Sequence, residues 1–342
     1  MTIDLRSDTI TRPTKAMQEA MWVAEVGDDV FAEDPSINAL QDYAAAMFGH
    51  EAALFCPSGT QTNQIAIACH TVPGDELICS DLAHIYLYEG GGIAWNSGVS
   101  ARTLPAARGL IKTSDMHGQI NPPDAHYART TLVSLENTVN KGGGAVYALK
   151  DMQDMAVFCK QNGLALHLDG ARIFNALVAT GDSAQDYGAC FDSLSVCLSK
   201  GLGAPVGSLL IGSKEFIKKA HRRRKSMGGG MRQAGFLAAA GLYALQNHVD
   251  RLLIDHMHAK ALGETLRNLP WVSHVAEVET NIVIFQVAAP LTSASAVNKL
   301  QQKGIHCFAF GPDKLRFVTH LDNTAAQMDF ALATLAGLNT LD

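Results

Sequence analysis

A lysine that follows a β-rich run is the side chain best placed for covalent chemistry. The strand-like run 193–198 ends just before Lys200, and small residues fill much of the stretch 201–207 that follows. Parallel sheets bind ligands beyond the carboxyl ends of their strands, so Lys200 lies where a site is expected. A single lysine is more often an exposed surface side chain, so this position alone favours no function. A partner for Lys200 has to come from another strand end.

An aspartate supplies that partner. The strand-like run 164–168 leads into Asp169, which precedes Lys200 by 31 residues. This separation suits a strand, helix and strand that bring both side chains to neighbouring strand ends. Taken alone, Asp169 could equally be a helix N-cap. Together, an acid that pairs with a pyridinium nitrogen and an amine that binds an aldehyde are the two contacts that pyridoxal phosphate requires.

Two further strand ends carry groups that suit the same cofactor. Ser58, Gly59 and Thr60 lie between the strand-like run 52–56 and a helical pattern. The N-terminus of a helix favours an anion, so this turn predicts a phosphate site. His84 follows another strand-like run, and we expect its imidazole to lie flat on the cofactor ring.

The elements that position these residues alternate between strand and helix. This alternation up to residue 213 predicts an α/β domain with a mostly parallel, doubly wound sheet. Helical patterns then follow to about residue 269, and a smaller α+β pattern ends in a helix at 325–337. We expect a large cofactor-binding domain over 1–250, including the N-terminal segment, and a small C-terminal domain over 251–342.

Composition excludes several classes of protein. The 342 residues are 47% hydrophobic with a net charge of −6, which argues against disorder and against a nucleic-acid-binding protein. Seven cysteines without C-x-x-C spacing indicate reduced thiols, and we expect no metal site. The first residues are charged and the longest apolar stretch, 234–245, is too short to cross a membrane. We therefore expect a cytoplasmic protein without a membrane partner.

Ordered motifs along nearly the whole chain resemble the low-specificity L-threonine aldolases, which are pyridoxal-phosphate enzymes of fold type I. The motifs that carry this resemblance are Asp4-Leu5-Arg6-Ser7-Asp8-Thr9, Pro57-Ser58-Gly59-Thr60, Ala83-His84-Ile85-Tyr86, Ser134-Leu135-Glu136-Asn137-Thr138, His167-Leu168-Asp169-Gly170-Ala171-Arg172, Cys197-Leu198-Ser199-Lys200-Gly201-Leu202-Gly203, Gly228-Gly229-Gly230-Met231-Arg232-Gln233 and Leu315-Arg316-Phe317-Val318-Thr319-His320-Leu321.

The resemblance implies a role for each residue of the cofactor site. Lys200 would hold pyridoxal 5'-phosphate covalently, Asp169 would pair with its ring nitrogen, and His84 would stack on the ring. Arg172 would lie beside the ring's phenolate oxygen and the substrate. The phosphate would bind Ser58, Gly59 and Thr60, and the residues Lys225 and Arg232 would reach it from a neighbouring subunit.

The resemblance also implies a substrate and a reaction. Ser7 and Arg316 would hold the carboxylate of L-threonine, L-allo-threonine or another β-hydroxy-α-amino acid, which is cleaved to glycine and an aldehyde. His84, or a water that it holds, would take the hydroxyl proton, and His126 is a second histidine near that hydroxyl. The partners implied are a small-molecule substrate and further copies of the chain, in a tetramer built from dimers with shared active sites.

Two departures from the family pattern affect substrate preference. Val139 stands where many members have a histidine, and Phe31 stands near the substrate entrance where a tyrosine is common. A β-eliminating lyase or an amino-acid racemase on the same fold is the alternative function. A non-catalytic protein is disfavoured by the intact Lys200. A nicotinamide dehydrogenase is disfavoured because no helix follows Gly201-Leu202-Gly203.

Overall fold

The structure is a computed structural model that describes residues 1–338 and 340. The N-terminal segment contains β1 (Ile3–Asp4), α1 (Lys15–Trp22) and α2 (Pro35–Met47). The central region contains β2 (Ala52–Cys56), α3 (Gly59–His70), β3 (Glu76–Ser80), α4 (His84–Leu87), α5 (Gly92–Ser97), β4 (Ser100–Leu104), β5 (Thr130–Glu136), α6 (Leu149–Gln161), β6 (Ala165–Gly170), α7 (Ile173–Thr180), α8 (Ala184–Gly188), β7 (Ser193–Cys197) and β8 (Ser208–Gly212). The remaining elements are α9 (Lys214–Ser226), α10 (Gly235–Asn247), α11 (Leu252–Arg267), β9 (Val272–Val275), β10 (Ile282–Val287), α12 (Ser293–Gln302), β11 (Ile305–His306), β12 (Phe308–Ala309), β13 (Lys314–Val318) and α13 (Ala325–Ala336).

A seven-stranded sheet in the order β2-β8-β7-β6-β5-β3-β4 holds the candidate functional residues. Strands β3 to β7 run parallel to one another, and β8 runs antiparallel to both of its neighbours. Strand β2 therefore points in the same direction as β7. The carboxyl ends of β2, β3, β5, β6 and β7 meet at one edge of the sheet. The expectation of an α/β fold with a mostly parallel sheet is confirmed.

The two faces of this sheet differ in chemistry. Leu135, Leu168 and Leu194 are paired in register and contribute to the apolar core on one face. Side chains alternate between faces along a strand, so the residues between these leucines lie on the opposite face. They form two buried polar rows across β5, β6 and β7, namely Ser134, His167 and Ser193 in one row and Glu136, Asp169 and Ser195 in the other.

Helix α3 covers this polar face. Thr62, Asn63 and Gln64 on α3 are all buried, and the Oγ1 atom of Thr62 lies 2.5 Å from Oγ of Ser195. Buried polar groups lower stability unless they are hydrogen-bonded. The contact between Thr62 and Ser195 shows that α3 supplies hydrogen-bond partners to this polar face.

A second, antiparallel sheet in the order β12-β13-β10-β9 forms a separate core with α11, α12 and α13. Helix α11 joins the two regions, because Leu252 packs into the core of the large sheet whereas Leu262 and Leu266 pack into the small core. The domain ranges 1–250 and 251–342 stay a prediction, and residues 339, 341 and 342 of the second range lie outside the described residues. Across the described ranges, no helix is both long and apolar enough to cross a membrane.

Candidate active site

A cavity of about 280 Å³ lies at the sheet edge where the carboxyl ends of β2, β3, β5, β6 and β7 meet. Six of the residues predicted for the cofactor site line it, namely Ser58, Gly59, Thr60, His84, Asp169 and Lys200. The loop that carries Lys200 is fixed from the N-terminal segment, because Oγ1 of Thr11 donates to the Lys200 carbonyl at 2.8 Å. The structure therefore brings together, from four strand ends, the residues that the sequence predicted.

The carboxylate of Asp169 is buried and held by two N–H donors. The Nδ2 atom of Asn63 donates to its Oδ2 at 2.9 Å, and the backbone N–H of Ala171 donates to its Oδ1 at 3.1 Å. The side chain is 2% exposed. These contacts fix the direction of the carboxylate, which leaves it able to accept a further hydrogen bond from a ligand in the cavity.

A chain of buried groups holds Asn63 in turn. Its Oδ1 lies 3.2 Å from Nε2 of His167, whose Nδ1 lies 2.8 Å from Oγ of Ser193. Burial lowers the pKa of His167 to about 3, so the ring is neutral and one of its nitrogens accepts. Because Nε2 of His167 donates to Oδ1 of Asn63, its Nδ1 is the nitrogen that accepts, from the hydroxyl of Ser193. The sequence did not predict this series of hydrogen bonds, although a histidine and serines alternating with apolar residues in buried strands were its signal.

His84 begins α4 and is oriented by a buried glutamate. Its Nδ1 lies 3.0 Å from Oε1 of Glu89, and the two Glu89 oxygens also accept hydrogen bonds from Asn63 at 2.9 Å and Gln64 at 2.7 Å. Burial disfavours the imidazolium, but the Glu89 hydrogen bond and the nearby charge of Asp169 outweigh it and raise the pKa of His84. Because Nδ1 donates to Glu89, the neutral ring keeps its lone pair on Nε2.

The N-terminus of α3 forms the anion-binding end of the cavity. Oγ of Ser58 caps the helix by accepting from the N–H of Gln61 at 3.2 Å. The N–H groups of Gly59 and Thr60 precede the first intrahelical bond and so remain available for a ligand. A Cβ atom on Gly59 would lie 2.5 Å from Sγ of Cys197. Only glycine allows the helix to approach β7 this closely.

Arg316 on β13 is the candidate for a substrate carboxylate. Its Nη1 donates to Oδ1 of Asn140 at 2.9 Å and its Nη2 donates to the Arg6 carbonyl at 3.2 Å. Its Nε is buried and has no partner in the part of the chain that the structure describes. Burial, helped by the positive charge of Arg172, lowers the pKa of Arg316 to about 10, so the group stays cationic at neutral pH. An unpaired buried donor on a cation fits an anionic ligand.

Ser7 and Arg172, both predicted to contact substrate, are held by other residues of the site. Oγ of Ser7 accepts from the N–H of Thr9 at 3.3 Å and from its Oγ1 at 2.9 Å. Arg172 makes two 2.7 Å hydrogen bonds to Asp8, and both side chains are buried. Burial raises the pKa of Asp8, but the Arg172 charge overcomes this and lowers it to about 2. Sequence reasoning did not pair these two residues.

Ser7, Arg172 and Arg316 do not line the 280 Å³ cavity itself, and four further predicted residues also lie outside its lining. His126 is an exposed side chain whose Nδ1 lies 2.7 Å from Asp124, and Phe31 is 68% exposed. Lys225 is exposed near the end of α9, and Arg232 donates to an Asp28 oxygen at 2.9 Å. The prediction that these cations act on a neighbouring subunit requires such exposure. The roles of all four residues stay predictions.

Three side chains of the site also meet the distance condition for a metal. One ligand atom each from His84, Glu89 and Asp169 lies within 4.8 Å of the others. Asn63 donates to both carboxylates, so an amide already bridges them. The expectation of no metal stays a prediction.

The cavity matches the functional groups of pyridoxal phosphate. Lys200 provides an amine for the aldehyde, Asp169 provides a buried acceptor for the ring nitrogen, and the N-terminus of α3 provides donors for the phosphate. The residues present therefore fit this cofactor. With a large mostly parallel sheet beside a small antiparallel one, the fold and the site define a pyridoxal-phosphate-dependent enzyme of fold type I.

Comparison with known proteins identifies the family. The beta-eliminating lyase profile matches residues 4–290. The low specificity L-threonine aldolase of Escherichia coli strain K12 is 46% identical over 327 residues, covering 95% of this chain and 96% of that protein. Low-specificity L-threonine aldolase 1 of Arabidopsis thaliana is 41% identical, covering 97% and 94%. A solved Leishmania major threonine aldolase shares the fold, with a TM-score of 0.87 at 20% identity, over 98% of this chain and 99% of that one. The chain belongs to the low-specificity L-threonine aldolase family, within the beta-eliminating lyases.

Proposed function

We propose that the protein cleaves L-threonine, L-allo-threonine and other β-hydroxy-α-amino acids to glycine and an aldehyde, with pyridoxal 5'-phosphate bound in the cavity at the sheet edge. The observation that carries this proposal is the convergence of Lys200, Asp169 and His84 on that one cavity. The similarity to proteins named low-specificity L-threonine aldolase supports the choice of substrate.

Different residues of the cavity would bind different groups of the cofactor. Bound pyridoxal phosphate would supply an electron sink for the pair released when the Cα–Cβ bond breaks. Lys200 would bind its aldehyde and Asp169 would accept a hydrogen bond from its ring nitrogen. Because Asn63 and Ala171 already fix the carboxylate, Asp169 needs no reorganisation to do so.

Arg316 and Ser7 orient the substrate through its carboxylate. The donors that remain for this contact include the unpaired Nε of Arg316, the second N–H of each of its Nη atoms and the hydroxyl hydrogen of Ser7. Asn140 and the Arg6 carbonyl hold the guanidinium at its other two nitrogens. Fixing the carboxylate fixes the rotation about the Cα–N bond, which decides which bond to Cα is aligned for cleavage.

His84 is the candidate base for the hydroxyl proton. Donation from Nδ1 to Glu89 leaves the lone pair on Nε2, and the raised pKa of the ring keeps its proton affinity useful at neutral pH. Proton transfer to Nε2 creates an imidazolium that the Glu89 carboxylate stabilises. His126 remains the second candidate from the family resemblance, acting from an exposed loop.

The assembly and the cellular location belong to the same proposal. We expect a homotetramer of dimers with shared active sites, in which Lys225 and Arg232 reach the phosphate of a neighbouring copy. The exposure of both cations supports this arrangement. We expect the enzyme to act in the cytoplasm.

A product assay tests the proposal. The four stereoisomers of threonine and allo-threonine are incubated with the protein, with and without added pyridoxal phosphate, and both glycine and acetaldehyde are measured. The expected result is equimolar glycine and acetaldehyde from the L isomers. Lys200→Ala should lose both this turnover and the absorbance of bound cofactor. 2-Oxobutyrate and ammonia in place of glycine would favour a β-eliminating lyase, and no glycine from any isomer would defeat the proposal.

A further inference from the structure

Glu136, the last residue of β5, connects the candidate base to the candidate carboxylate-binding arginine. Its Oε2 accepts from the backbone N–H of His84 at 2.8 Å, and its Oε1 accepts from the backbone N–H of Asn140 at 2.9 Å. Oδ1 of Asn140 in turn accepts from Nη1 of Arg316 at 2.9 Å. One carboxylate therefore holds backbone positions in two separate loops that carry opposite ends of the site.

Neither loop has a local substitute for this contact. Helix α4 begins at His84 without a side-chain hydrogen bond from Ala83, so Glu136 is the group that accepts from its first N–H. On the other side, the loop from β5 to α6 passes Asn140 and returns through a bridge between Val139 and Ala145. The Glu136 hydrogen bond fixes the turn of that loop which presents Asn140 to Arg316.

We propose that Glu136 is a positioning residue, which sets the place of the substrate carboxylate relative to the base by holding His84 with one oxygen and Asn140 with the other. This inference rests on the function proposed above, because it takes Arg316 as the carboxylate contact. Glu136 acts through these neighbours and does not itself line the cavity.

The burial of this carboxylate beside a second one disfavours its charged form. Glu136 is 6% exposed and lies beside Asp169 in register. Burial, reinforced by the Asp169 charge, raises the pKa of Glu136 to about 7 despite the two N–H donors. A glutamine would avoid this penalty. It has only one acceptor oxygen, however, so its NH₂ group would face one of the two N–H donors.

Two variants test the role of Glu136 in the holoenzyme. The measurements are the dissociation constant for glycine by calorimetry, and kcat and KM for L-threonine. Asn140→Ala should weaken glycine binding and raise KM about tenfold, with kcat changed less than about twofold, because only the Arg316 end is released. Glu136→Gln should raise the glycine dissociation constant and KM by a similar factor. It should also lower kcat about tenfold, because the hydrogen bond that positions the His84 backbone changes.

A double variant and a control make the test decisive. If Glu136 acts through Asn140, Glu136→Gln with Asn140→Ala raises the glycine dissociation constant no more than either change alone, whereas independent roles would multiply to about a hundredfold. Ser134→Ala alters the same strand face two residues earlier and should leave all three constants within about twofold.

Each outcome decides between the two proposals. Glycine binding and KM unchanged in Glu136→Gln, in a preparation whose wild type cleaves threonine, would overturn the positioning role. Multiplicative effects in the double variant would also overturn it. A wild type that yields no glycine would instead refute the function. If Glu136→Gln fails to fold, an unaltered KM in Asn140→Ala is sufficient to overturn the inference.

Discussion

The buried ion pair between Asp8 and Arg172 gives the sharpest prediction about stability. Asp8→Asn replaces one of two acceptor oxygens with an NH₂ group that faces the guanidinium. Arg172 is 6% exposed at its side chain and Asp8 is fully buried, so water does not replace the lost contact. The substitution leaves a cation in the interior without its counter-charge.

The magnitude follows from that burial. Breaking one partner of a buried pair typically lowers the free energy of unfolding by about 3–5 kcal/mol. The lowered pKa of Asp8 has the same sign, and its shift from 3.8 to about 2 corresponds to a smaller net interaction of about 2 kcal/mol. The hydrogen bond from Asn281 to Asp8 at 3.3 Å adds to the loss.

The same segment provides a matched control. Arg6 and Asp4 also form a multiple hydrogen-bonded pair, but their side chains are 43% and 30% exposed. An exposed pair contributes about 0.2–1 kcal/mol. Asp4→Asn should therefore lower the free energy of unfolding by less than about 1 kcal/mol.

The free energy of unfolding of both variants is measured under identical conditions by chemical denaturation, with circular dichroism as the signal. The midpoint of unfolding should lie at a clearly lower denaturant concentration for Asp8→Asn than for Asp4→Asn. Turnover of threonine by Asp8→Asn should also fall, because Arg172 is no longer fixed. Equal midpoints for the two variants would show that burial does not determine how much such an ion pair contributes to stability.

Three further predictions concern other parts of the molecule. Gly59→Ala should weaken pyridoxal phosphate binding at least about tenfold in a fluorescence titration, because the new methyl group meets Cys197. Arg316→Lys should raise KM for L-threonine about tenfold or more with a smaller change in kcat, because an ammonium cannot hold Asn140, the Arg6 carbonyl and a carboxylate in one plane. His256→Gln should flatten the loss of stability at acid pH. Burial lowers the pKa of His256 to about 4, so the unfolded chain binds a proton that the native state does not, and stability falls by about 1.4 kcal/mol per pH unit from about pH 6.5 toward pH 4.

Each of these predictions has an outcome that contradicts it. Tight cofactor binding by Gly59→Ala would show that α3 can move away from β7. An unchanged KM in Arg316→Lys would exclude the carboxylate role. For His256→Gln, denaturation at pH 6.5 and pH 5 should show a smaller difference than in the wild type, while the hydrogen bond to Asn175 remains possible. An equal difference in both proteins would mean that this histidine is not the titrating group.

Local patterns were sufficient to predict most of the larger sheet and the cavity at its edge. The structure has β2 at 52–56 and β7 at 193–197, as the strand-like runs 52–56 and 193–198 indicated, because these short segments combine apolar residues with clear breaks at their ends. Lys200, Asp169, His84 and Gly59 could be placed at one edge because each follows a strand that runs in the same direction.

The partners of those residues could not be predicted in the same way. Asn63 and Asp169 are 106 residues apart, and Asp8 and Arg172 are 164 residues apart, so no local spacing relates them. The two-residue strands β11 and β12 were also missed, because so short a segment carries no periodicity and is defined only by its neighbour. The residues expected to act from another subunit, Lys225 and Arg232, await a test on the assembled enzyme.

The connections between the two sheets restrict how the small region can move. Helix α11 enters both hydrophobic cores, and the N-terminal segment pairs with β11 at Ile3 before Asp8 binds Arg172 in the large region. Hydrogen bonds from Arg316 to Asn140 and from Asn281 to Asp8 add further links between the two regions. The small region is therefore held against the large one at several separate points. The contacts that join the two cores also set the distance between Arg316 and Lys200, and with it the length of amino acid that fits between them.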